Sequence, residues 1–158
     1  MKRLAQCLAA MAFAALPWLA GNGAARAEDA IIGTWEIVEA VPGPWTDADR
    51  HAALIAEGKR MLKLAITFGP KELKSTNKLY TCKRGVVYEP NELEVDSIFD
   101  GNLPEPNPAA AGARLGFPRT GIKGVDVRCL KARFTFHFRD ANTMMTTLNN
   151  VIYTLKRR

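Results

Sequence analysis

From Ile31 onward, apolar and polar residues alternate with a period of two in one segment after another, the pattern of strands with one buried face. Along residues 34–41, Trp35 and Ile37 share a face opposite Thr34 and Glu36, and Pro42-Gly43-Pro44 stops the run. Residues 61–68 set Leu62, Leu64, Ile66 and Phe68 against Lys63, Ala65 and Thr67. Gly69-Pro70 then makes a turn, and residues 71–76 read as a returning strand. Residues 79–87, with Cys82, read as a further strand, as do residues 122–129. In residues 134–139, Phe134, Phe136 and Phe138 fall on one face, which turns His137 toward solvent. Residues 143–148 and 151–157 form the closing hairpin across Asn149-Asn150, where asparagine tolerates positive φ.

The remaining segments break this period. Thr46 or Asp47 caps a short helix that runs through Glu57 and ends at Gly58, placed to cover a barrel end. The pattern fails from Tyr88. Residues 91–99 are compatible with a helical turn, and residues 101–118, with Pro104, Pro106, Pro108 and Pro118, read as a long Pro-rich loop. Seven or eight strands joined mostly in sequence predict an all-β, mainly antiparallel barrel or sandwich with one short helix and that loop.

The N-terminus has a different character. Lys2 and Arg3 precede an apolar run over residues 4–20, and Ala25 and Ala27 stand at −3 and −1 of a cleavage before Glu28, the pattern of a signal peptide. Removal of residues 1–27 leaves one domain, residues 28–158, in the periplasm or outside the cell, with no membrane span. The net charge falls from +6 to +3 as Lys2, Arg3 and Arg26 leave, which disfavours a nucleic-acid partner. Cys7 leaves too. Cys82 and Cys129 remain, and an oxidising compartment favours a disulfide between them over a metal site.

Gly33-Thr34-Trp35 at the head of the first strand and Arg157 at the end of the last resemble the lipocalin and calycin superfamily. There, a Gly-Xaa-Trp opens the first strand and a late cation packs over the Trp. The resemblance implies a barrel with Trp35 buried at its closed end, Arg157 over the indole, and a small apolar ligand inside.

Catalytic chemistry finds little purchase. His51 and His137 are the two histidines, and no Gly-x-Ser-x-Gly elbow accompanies them. Glu89, Glu92, Glu94 and Asp96 are carboxylates of the kind glycoside cleavage uses, but their spacing on a Pro-flanked segment fixes no separation. No cofactor or metal motif is present. Charge is segregated: Glu89, Glu92, Glu94, Asp96, Asp100 and Glu105 occur without a cation between them, whereas residues 113–139 hold seven cations against Asp126. Either the two segments neutralise one another across strands, or they form a bipolar surface that steers a partner. The expectation is a non-enzymatic exported barrel binding a small apolar ligand against Leu64, Ile66 and Phe136. The alternative is an inhibitor or protein-binding module that presents the acidic segment 89–105 to a basic envelope protein.

Overall fold

The computed structural model describes residues 27–104, 106–130 and 132–158. The leader read over residues 1–27 lies outside them except for Ala27, and so do Glu105 and Lys131. Eight strands form one sheet: β1 (Gly33–Pro42), β2 (Ala65–Phe68), β3 (Leu73–Ser75), β4 (Val86–Leu93), β5 (Ile122–Cys129), β6 (Ala132–Asp140), β7 (Thr143–Leu148) and β8 (Val151–Arg157). Every pairing is antiparallel, and the order is β3-β2-β1-β8-β7-β6-β5-β4. The open side is narrowed where Leu73 of β3 and Cys82, in the segment leading into β4, exchange backbone hydrogen bonds of 2.8 and 2.7 Å. The sheet is thus an eight-stranded, nearly closed barrel. A disulfide from Cys82 to Cys129, with Cα atoms 6.1 Å apart, ties the same seam to the end of β5.

Alternation holds along β1, where Trp35 and Ile37 are fully buried. The Asn149-Asn150 turn has φ of 51° and 64°, the primed-turn geometry that matches strand twist. Among the described residues, three short α-helices accompany the barrel rather than one: α1 (Ala27–Ile31), α2 (His51–Lys59) and α3 (Pro108–Arg114). Gly58 does not end α2 but lies within it. A Cβ there would come 2.8 Å from Ala40 Cβ, so the glycine lets the helix sit against β1 while Leu54 enters the main core. The strand expected over residues 61–68 is only its second half. Successive turns continue from α2 to Leu64, Lys63 takes φ 66°, and Leu62 is exposed. Residues 79–87 are likewise not one strand. A 3-10 turn at Lys78–Tyr80, capped by Asn77, drives the Tyr80 ring inward, and β4 starts only at Val86.

β4 runs through Pro90, where the sequence pattern had broken. Because β4 ends the sheet and hydrogen-bonds to β5 alone, proline's missing N–H costs no pairing on the open side. The Pro-rich segment is not loop throughout. Asn107 accepts from the Ala110 N–H at 2.9 Å, Pro108 opens α3, and 3-10 turns at Val95–Gly101 precede it. Val95, Ile98, Phe99, Leu103, Ala111 and Phe117 pack as a second layer on the outer face of the sheet, against Ile122, Met145 and Ile152. The main core lies inside the barrel and is filled by rings. Phe68 meets Phe136 at 5.2 Å, Tyr80 meets Phe134 at 4.9 Å, and Trp35 meets Phe138 at 6.1 Å.

Candidate functional site

The end of the barrel that carries α1 is organised by Trp35 and Arg157. Trp35 is fully buried, and its indole N–H donates to the Ile31 carbonyl at 2.8 Å. The Arg157 guanidinium lies 4.3 Å over the Trp35 ring and donates to the carbonyls of Ile32 (2.8 Å) and Ala30. Gly33 makes this possible on two counts. Its φ is +130°, and a Cβ there would come 2.8 Å from Arg157 Nη1. Gly33, Trp35 and Arg157 together fasten α1 across the barrel end.

Beside α1 opens a cleft of about 710 Å³. Ala30, Pro90, Ile122 and Phe138 supply apolar wall, and Glu92, Lys123, Arg139 and Asp140 supply charge. Glu92 and Lys123 are cross-strand partners, and Arg139 and Asp140 approach to 3.9 Å, so the cleft carries balanced rather than single-sign charge. The Asn142 backbone N–H, donating at 2.8 Å, holds the Asp140 carboxyl below the ordinary carboxylate range. Phe138 connects this wall to the ring system of Trp35. Four separate segments build the cleft, so no single periodic stretch of sequence announces it.

The cleft does not contain the three residues expected to hold a ligand. Ile66 and Phe136 are fully buried in the ring-filled interior, and Leu64 is half-buried against the same core. The structure brings these three into one cluster, as packing, and none lines the cleft beside α1. The burial of Tyr80 pushes its phenol pKa up, and its hydroxyl has no hydrogen-bond partner among the described residues.

His137 corrects a sequence expectation. It does point outward from the barrel, but the second layer covers that face, and the residue is only 2% exposed. Nε2 accepts the Phe99 N–H at 3.2 Å, and the Phe99 ring stands edge-on at 5.1 Å. Burial pulls the imidazole down to about 4, against the opposing pull of Asp100 and Asp126. Nearby, Asp126 accepts from Thr135 at 2.5 Å and from Arg133 at 2.7 Å. Burial pushes its carboxyl up, but those hydrogen bonds and the Arg133 charge outweigh it and leave the group lowered. His137 Nε2 accepts a backbone amide N–H, so the neutral ring carries its proton on Nδ1, which is buried and has no hydrogen-bond partner among the described residues.

The acidic segment is anchored to the barrel, with Glu92, Glu94, Asp96 and Asp100 exposed. Glu89 and Glu92 belong to β4, and residues 95–103 are anchored by Val95, Ile98, Phe99 and Leu103. Glu89 pairs with Arg128 on β5, so the two oppositely charged segments partly neutralise one another across strands. Among the described residues, no group of three or more His, Cys, Asp or Glu is placed to hold a metal ion, and no helix is long and apolar enough to cross a membrane. Comparison with family models, curated proteins and solved structures finds no match to the chain.

Proposed function

We propose that this is an exported, lipocalin-like barrel that binds a small, largely apolar ligand without transforming it, and that the ligand sits in the cleft beside α1. The observation that carries the reading is the cleft itself. Its volume of about 710 Å³ falls within the range of roughly 300–1,000 Å³ of small-molecule sites, and it combines apolar wall with a few polar groups. The barrel interior, where the lipocalin resemblance first located a ligand, is occupied by the protein's own aromatic rings. Gly33, Trp35 and Arg157 support the lipocalin-like reading, and the Cys82–Cys129 disulfide supports export to an oxidising compartment.

Native mass spectrometry of protein isolated from its own cell envelope tests both parts. The expected spectrum shows a chain beginning at Glu28 with a small molecule retained. Ala141→Trp, at an exposed corner of the cleft, should lose that molecule and keep the fold. A chain that begins at Met1 overturns the export reading. No retained mass in the wild type, or equal retention by Ala141→Trp, overturns the site.

A further inference from the structure

The opposite end of the barrel has a different chemistry. Residues 59–63 and 78–84 contain Lys59, Arg60, Lys63, Lys78, Lys83 and Arg84 and no acidic residue. The fold brings these segments together, since Asn77 donates to Met61 Sδ at 3.3 Å and the disulfide fixes Cys82 beside the β5–β6 corner. All six cations are exposed, and none enters an ion pair among the described residues. The acids that flank these segments are already engaged: Glu57 accepts from Asn149, Glu72 pairs with Lys74, and Glu89 pairs with Arg128.

Leucines stand among these cations. Leu62 and Leu79 are exposed, and Leu130, at the β5–β6 corner, is 91% exposed. Leu130 also lines a cleft of about 450 Å³ with Lys78, Lys83 and Arg84. Its backbone is left-handed, with φ 56°, a conformation that leucine adopts only under strain. The β7–β8 corner of this protein meets the same demand with two asparagines, so Leu130 serves neither the turn nor the core.

We infer that this end of the barrel docks on an anionic lipid bilayer, with the cations at the headgroups and Leu130, Leu79 and Leu62 dipping below them. A soluble polyanion would use the charges and have no use for three protruding leucines. A bilayer uses both, as interfacial segments do. Each cation close to an anionic surface strengthens binding about fivefold, an effect that salt screens.

Flotation of the envelope-isolated protein with vesicles tests this. The protein should float with vesicles of phosphatidylglycerol and phosphatidylcholine at low salt, and release in about 0.5 M salt, where the screening length has shortened severalfold. It should stay free of vesicles of phosphatidylcholine alone. Lys83→Glu with Arg84→Glu should weaken binding at least about tenfold. Leu130→Gly separates docking from folding, because glycine relieves the left-handed strain. That variant should melt at a higher temperature yet bind vesicles several-fold more weakly. Wild-type protein that ignores anionic vesicles overturns the inference. So does binding to heparin and vesicles alike with Leu130→Gly unaffected, which would mark a site for soluble polyanions.

Discussion

Replacing His137 by glutamine removes a buried imidazole that the fold holds neutral. Glutamine keeps an acceptor for the Phe99 N–H but cannot be protonated. In the folded chain, burial holds the imidazole near 4, against 6.5 for an exposed histidine. The folded state therefore disfavours the proton that the unfolded chain accepts. The stabilising contribution is complete above the unfolded value and is lost as pH falls from 6.5 toward 4. A difference of 2.5 units corresponds to about 3 kcal/mol when fully expressed, with about 2 kcal/mol already lost at pH 5. Asp126, whose carboxyl is lowered, also loses its contribution on acidification, but only below the ordinary carboxylate range, so the two windows separate. Urea unfolding at intervals between pH 7.5 and 4.5 should give a steep decline for the wild type and a much flatter one for His137→Gln. Parallel curves, or a His137 ring proton that titrates near 6.5 by NMR, would refute the buried, neutral imidazole.

Three further outcomes are expected. Trp35→Ala should cost about 3 to 5 kcal/mol and Arg157→Ala about 1 to 3, and a double-mutant cycle should show a coupling of roughly 1 kcal/mol, whereas additive losses would contradict the contact over the indole. Removing the Cys82–Cys129 bond, which closes a separation of 47 residues, should cost about 4 kcal/mol by chain entropy, and both thiols should resist labelling until a reductant is added. Gly112→Ala should destabilise by about 1 to 3 kcal/mol in thermal unfolding despite alanine's better helix propensity, because its Cβ would run into Val95 Cγ2; a stabilised variant would contradict the close packing of α3 on the second layer.

The parts of this fold that sequence made legible are those whose burial is decided locally. β1, β5 and β6 set an apolar face toward the barrel interior against more polar positions, so a period of two reports them; β7 and β8 are buried on both faces, and there Asn149-Asn150 marks the hairpin by turn chemistry. The misreadings arise where a distant segment decides. His137 alternates outward as the pattern says, but Val95, Ile98, Phe99, Leu103 and Phe117 cover that face, and nothing near His137 in the chain signals the cover. The pattern fails from Tyr88, yet β4 continues through Pro90, because that strand's place at the sheet's end depends on the order of all eight strands. α3 was within reach of the sequence: Asn107 followed by Pro108 and three alanines is a helix start, masked by the prolines around it. The cleft beside α1 had no such signal, since Ala30, Glu92, Lys123 and Phe138 meet only in the folded chain.

The central claim is that a small apolar ligand binds beside α1 and not among the interior rings. Amide NMR of the isolated protein titrated with phenylnaphthylamine, a neutral apolar probe, reads the location directly. Saturable shifts are expected at Ala30, Ile122, Lys123, Phe138, Arg139 and Ala141, with Ile66 and Phe136 unmoved. Shifts centred on Leu64, Ile66 and Phe136, or no saturable shift at all, would contradict it.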